Sequence, residues 1–194
     1  MNYLAHLCLS GNNEGVIIGN FIGDSLKGIK STTYSKEIQR GIQLHRFIDH
    51  YTDHHSDFLT SKRIFSGQFD KYSGVLIDIF FDHFLAINFK FYFNTDLQHF
   101  ADKCYSIILK NIEIIPPRAK DFYYYMVKNN ILFEYKNPES IKMVLNGITH
   151  RINFLFPLNQ SYDIFLKHYE EIGNHFNSFF PDLKIETEKY LSNS

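Results

Sequence analysis

Tryptophan is absent from the 194 residues, and cysteine occurs only as Cys8 and Cys104. The two thiols stand far apart without CxxC spacing, which argues against a disulfide framework or a zinc ribbon and for a reducing cytoplasmic setting. No window approaches 18 uninterrupted apolar residues, the minimum for a membrane span. The Met1 to Ser10 segment has no basic leader and its short apolar run is broken by His6, so it does not read as a signal peptide. An excess of one charge is also missing. With 20 Lys and Arg against 21 Asp and Glu, no general affinity for nucleic acid or membrane is expected, and an acidic partner must be met by a local patch. P-loop, GxGxxG, GxSxG and HExxH patterns are all absent, so a Walker site, a Rossmann site, a hydrolase elbow and a zincin are unsupported.

What remains is an ordinary globular composition, 44% hydrophobic and 21% charged, in a length that suits one domain over residues 1–194. No repeat, low-complexity tract or Pro/Gly/Ser linker divides it, and strand alternation is weak throughout. The expected fold is a single-domain, all-α helical bundle. The 20 Phe and 13 Tyr supply bulky filling for helix packing and phenols that can reach a ligand.

The chain is organised around Gly41-Ile-Gln-Leu-His45-Arg46-Phe-Ile-Asp49. At ~100° per residue, Ile38, Gly41, Ile42, His45, Ile48 and Asp49 fall within an arc of about 120°. A histidine and a carboxylate therefore share an apolar face. An ionised Asp buried there costs several kcal/mol unless neutralised, and a divalent metal held by both side chains supplies the remedy. Ser35 is the expected N-cap of this helix, while His50, His54 and His55 are expected outside or at the rim.

Three other segments carry polar groups on apolar surfaces. His6 sits in a short first helix, with a structural and a functional role both open. A second helix is expected to end near Gly23, with that glycine left-handed, which leaves Asp24 as a turn former or a metal ligand beside a phosphate-binding Lys27. The stretch Ser73 to Phe89 is apolar on nearly every side and reads as a central helix. On it Asp78 and Asp82 stack four apart, so either one is protonated or a cation lies beside them. His83 follows at ~100° and can lean toward the same ion.

The remaining helices read as core. Thr95-Asp-Leu-Gln98 looks like a capping box, Pro117 and Pro138 open helices, and Pro181 is expected to open a short last one. Arg151 is either a surface residue or a bidentate phosphate holder. Taken together, Asp24, His45, Asp49, Asp78, Asp82 and His83 offer carboxylates and imidazoles without thiolate, a set that favours a hard ion such as Mn or Mg. The competing account is a scaffold of hydrogen-bond and salt-bridge networks. Two separate apolar stripes that each carry inward carboxylates favour the metal.

The segments Asn2-Tyr-Leu-Ala-His6-Leu, Gly19-Asn-Phe-Ile-Gly-Asp24, Gly41-Ile-Gln-Leu-His45-Arg46-Phe-Ile-Asp49, Thr52-Asp53 and Asp78-Ile-Phe-Phe-Asp82-His83-Phe-Leu-Ala86 resemble the acyl carrier protein phosphodiesterase family. They do so in order, with a looser fit at Phe179-Phe180-Pro181. The resemblance implies an HD-phosphohydrolase-like, all-α fold and a Mn-dependent hydrolase, with Mg or Fe as other ions. Such an enzyme removes 4'-phosphopantetheine from the serine of holo-acyl carrier protein. By position, Asp24, His45, Asp49 and Asp82 are then the metal ligands. His6, Asp78 and His83 take catalytic places, and Lys27 and Arg46 hold the phosphodiester, with Arg151 a further substrate-binding candidate from its own place at a helix end. One departure stands out: the HD pattern places His before Asp, whereas residues 82 and 83 read Asp-His. Lys27, Lys30, Lys36, Arg40 and Arg46 would steer an acidic carrier protein, or else form a solvated basic surface. Hydrolysis of a small phosphoester and carrier binding without chemistry are the alternative functions.

Overall fold

The computed structural model describes residues 1–26, 28–151 and 156–193, apart from the side chains of His150 and Arg151. Among these residues the chain forms α-helices and short 3-10 turns with no strand. The helices are α1 (Tyr3–Cys8), α2 (Glu14–Ile22), α3 (Lys36–His54), α4 (Ser56–Ile64), α5 (Ser73–Ile87) and α6 (Phe89–Phe93). They continue as α7 (Leu97–Lys110), α8 (Pro117–Lys128), α9 (Ile131–Glu134), α10 (Pro138–Arg151), α11 (Ser161–Lys167) and α12 (Tyr169–Asn193). The all-α expectation holds.

Helix starts follow local chemistry. Asn13 accepts a hydrogen bond from the Val16 N–H at the head of α2, and Ser35 accepts one from the Ile38 N–H at the head of α3, each satisfying a donor that the first turn leaves open. Three local expectations are corrected. The cap of α7 is Asp96, not Thr95: its carboxylate accepts from the N–H groups of Gln98 and His99. Gly23 is right-handed, with φ −46° and ψ −45°, and passes the chain into a 3-10 turn over Gly23–Ser25. Pro181 lies inside α12 rather than at its start. An interior proline costs about 3 kcal/mol, but Phe176, Phe179, Phe180 and Leu183 on either side of it are all buried, and their packing holds the helix through it.

The core is centred on α5, in which every residue from Ile79 to Ala86 is buried. Helices α1, α4, α10 and α12 pack around it. Phenylalanine fills this core: Phe80 stacks on Phe165 with ring centroids 4.1 Å apart, and Phe81 meets Phe176 edge-on. At the point where α12 crosses α5, a Cβ on Gly173 would lie 2.9 Å from the Phe84 ring.

The closest helix contact is between α2 and α3. A Cβ on Gly19 would sit 2.0 Å from the Ile38 carbonyl oxygen, and one on Gly41 would sit 2.2 Å from that of Val16. Glycine meets glycine, and the two backbones come together as no other residue would allow. That approach brings the Asn20 carbonyl on α2 to His45 on α3.

Candidate metal centre and adjoining cleft

His6 on α1, His45 and Asp49 on α3, and Asp24 in the turn after α2 converge. His6 Nε2 is 3.1 Å from Asp49 Oδ1. His45 Nε2 is 3.2 Å from Asp24 Oδ1 and 3.3 Å from Asp49 Oδ2. The two imidazoles stack with centroids 4.1 Å apart. One ligand atom from each of His6, His45 and Asp49 lies within 4.8 Å of the others. Both histidines are buried, whereas the side chains of Asp49 and Asp24 are 41% and 78% exposed, so the group is closed by histidine inside and open by carboxylate outside.

Asn20, fully buried on α2, sets both rings. Its amide donates to the His6 carbonyl at 2.7 Å and to Ser10 Oγ at 2.9 Å, which leaves its Oδ1 as an acceptor for His6 Nδ1 at 2.8 Å. The Asn20 backbone carbonyl, an acceptor only, lies 2.8 Å from His45 Nδ1. Both Nδ1 atoms therefore carry hydrogen, and in the neutral rings both Nε2 atoms present lone pairs to the carboxylates. Lone pair against anion is repulsive unless a cation intervenes.

The electrostatics agree. Burial pulls the His45 pKa down, but hydrogen bonds and charge from Asp24 and Asp49 prevail and raise it to about 9. Burial lowers that of His6, and the His45 charge lowers it further. Hydrogen bonding to His45 holds Asp24 below the usual carboxylate range. For Asp49, burial pushes upward, yet the two imidazoles outweigh it and hold the group ionised. Without metal, a proton on His45 is the compensating charge. His45 Nε2 is nevertheless buried with no hydrogen bond of good geometry, as suits an atom built for a ligand. Two imidazole nitrogens and at least one carboxylate, with no thiolate, fit a divalent ion.

The other expected site residues are placed elsewhere. Asp82 is fully buried and accepts from the backbone N–H groups of Asn2, Leu4 and Ala5 at 3.3, 2.8 and 3.3 Å, so it anchors the start of α1, the helix that carries His6. Burial raises its pKa to about 7 against the pull of the Met1 ammonium and these N–H groups. Asp78 pairs with the Met1 ammonium at 2.6 Å, which supplies the cation that its stacking with Asp82 called for. His83 hydrogen-bonds the Tyr135 carbonyl and the Tyr169 hydroxyl, each at 2.8 Å. Arg46 is exposed and forms no ion pair among the described residues. Lys27 and the Arg151 side chain lie outside the described residues. Asn20, which no motif singled out, was the residue missed. Its signal was its place between two glycines four apart, where two helices can touch.

A cleft of about 900 Å³ opens beside Asp24 and is bounded by the start of α1, by α5, α8 and α10. A second cleft, of about 600 Å³, lies near Cys8, Lys103 and Cys104 and shares no residue with the His/Asp group. The two cysteines are buried and unbridged, and no helix among the described residues is long and apolar enough to cross a membrane.

No solved structure matches the chain. The chain is 30% identical over 182 residues to an acyl carrier protein phosphodiesterase of Pectobacterium atrosepticum, which covers 93% of this chain and 94% of the relative. It is 28% identical over 189 residues to the protein of that name from Photorhabdus laumondii, with 97% and 96% covered. For the Yersinia pestis protein of the same name the identity is 29% over 189 residues, with 97% and 98% covered. The family model described as acyl carrier protein phosphodiesterase matches residues 1–183, and the chain belongs to that family.

Proposed function

We propose that this protein hydrolyses the phosphodiester between 4'-phosphopantetheine and the serine of an acyl carrier protein, at a divalent ion held by His6, His45 and Asp49 with Asp24 beside them. The observation that carries the metal assignment is the buried His45 Nε2, which faces two carboxylates at 3.2 and 3.3 Å and makes a well-formed hydrogen bond to neither. The family match over residues 1–183 carries the reaction. The donor set favours manganese, with magnesium and iron as the other ions to test, because carboxylates and imidazoles without thiolate suit the harder end of the series.

In the overall reaction the oxygen of water forms a new bond to phosphorus, the bond from phosphorus to the serine Oγ breaks, and that oxygen leaves with a proton. The products are phosphopantetheine and the carrier's free serine. A bound divalent ion would supply Lewis acidity toward the phosphoryl oxygen and toward water. The chain's own residues do the positioning. Asn20 holds both imidazoles with Nε2 turned to Asp49. Asp49 and Asp24 stay ionised, and Asp24, the most exposed of the group, stands on the side from which substrate arrives. The buried rings of His6 and His45 exclude water from the back of the site.

The test is mass spectrometry of holo-carrier protein incubated with the purified protein and Mn, Mg or Fe. Loss of the phosphopantetheine mass, abolished by chelator, is the expected result. Intact holo-carrier with every ion would defeat the proposal.

A further inference from the structure

The phosphorus of such a substrate bears two groups, a folded carrier protein on one side and a long, thin, flexible arm on the other. Only the second can enter a cleft. The 900 Å³ cleft is continuous with the proposed metal centre because Asp24, 3.2 Å from His45 Nε2, is also part of its wall. From there it runs between α8 and α10. Tyr3 and Phe122, stacked at 4.2 Å, join α1 to α8 along it. Val75, Tyr125 and Met143 lie in the same wall and remain 39%, 38% and 36% exposed, an apolar lining that no described residue covers. The side chains of Asn2 and Asn146 add amide groups to this lining. Arg118, exposed and without an ion pair among the described residues, lies in it as well.

We propose that this cleft is the binding site for the pantetheine arm: an uncharged chain with amide groups and a branched aliphatic segment, joined to a phosphate. The chemistry of the two matches. The aliphatic part meets aromatic and aliphatic walls, the Asn146 amide offers the arm's amides a hydrogen-bonding partner, and the guanidinium of Arg118 answers the phosphate charge. Gly147 keeps the passage open. A Cβ there would lie 3.3 Å from the Tyr125 hydroxyl, so a larger side chain would block the channel between α8 and α10. This inference rests on the carrier-phosphodiesterase reading.

The experiment compares binding of holo- and apo-carrier protein to chelator-treated full-length protein, in which turnover is stopped. The wild type should prefer the holo form by about tenfold or more, since only that form fills the cleft. Gly147→Leu and Met143→Trp should lose most of that preference while their affinity for the apo form stays unchanged. Met143 is partly exposed, so Met143→Trp remains informative if Gly147→Leu fails to fold. Because the chain has no other tryptophan, its emission should be the same with the holo and the apo form, as expected when the indole fills the cleft and shuts the arm out. A preference that survives both substitutions, or a wild type that binds both carriers equally, overturns the cleft assignment. Failure of the phosphodiesterase reading looks different: no holo-carrier is cleaved by the wild type with any ion.

Discussion

His6 and His45 stack ring on ring at 4.1 Å, with 21° between their planes, and both present Nε2 to the Asp49 carboxylate, at 3.1 and 3.3 Å. Two like heterocycles packed this closely cannot both be protonated at moderate cost, so one proton or one metal ion is the stable occupant.

Removing a ligand should remove the ion. Asp49→Ala and His45→Ala are each expected to weaken manganese binding by at least about a hundredfold, more than a supporting residue would. Electron paramagnetic resonance of free manganese in a titration measures it, and unchanged affinity in both variants would sink the assignment.

Metal and proton compete for His45. In the metal-free protein its pKa is about 9, against 6.5 for the unreinforced group. The folded value is the higher one, so the stabilisation is complete below about 6.5 and disappears as pH rises through about 9. The shift corresponds to roughly 3 kcal/mol. The Tm of chelated protein should therefore fall over this window. Manganese affinity should rise over the same window, by about tenfold per pH unit as the displaced proton becomes easier to lose. Calorimetry in buffers of different ionisation enthalpy should detect close to one proton released near neutral pH.

Asn20→Asp tests the positioning of both rings. It retains an oxygen for His6 Nδ1 but loses the amide donation to the His6 carbonyl and Ser10. Metal affinity is expected to drop by about 10- to 100-fold. A loss of thermal stability with unchanged metal affinity would reduce Asn20 to a purely structural role.

Gly23→Ala should act on the site from behind. The added methyl would lie 2.3 Å from the His45 ring, which must then move. Gly74→Ala is the control, since its nearest contacts are the end of the Lys62 side chain at 3.9 Å. Metal affinity measured in parallel should fall in the first variant and stay constant in the second.

Asp82→Ala should separate anchoring from ligation. It leaves the N–H groups of Asn2, Leu4 and Ala5 without their acceptor, at about 1–3 kcal/mol for each group left buried and unpaired. Chemical denaturation should show this loss. Manganese affinity close to wild type would assign Asp82 to holding α1, and abolished binding in a folded variant would return it to the ligand set.

Much of this arrangement could be read before any coordinates. The spacing of Ile38, Ile42, His45, Ile48 and Asp49 declares one helix face, because helical periodicity is a local property of the backbone. The apolar run around Asp82 declares a buried α5 for the same reason. The capping of α7 by Asp96 is not legible in the sequence, because Thr95 and Asp96 are both competent caps and only the backbone path chooses between them. Pro181 misled because its local penalty is outweighed by burial of the aromatic residues around it.

Residue spacing thus decided which side chains share a helix face and that those faces carry imidazole and carboxylate on apolar surroundings. It did not decide which faces meet. That Asp82 turns to the N–H groups of α1 while Asp24 turns to His45, and that Asn20 bonds two rings at once, depends on the glycine contact between α2 and α3 and on α1 docking against α5. Those are distances between segments far apart in the chain, set by how closely backbones can pack, and no periodicity within a single helix encodes them.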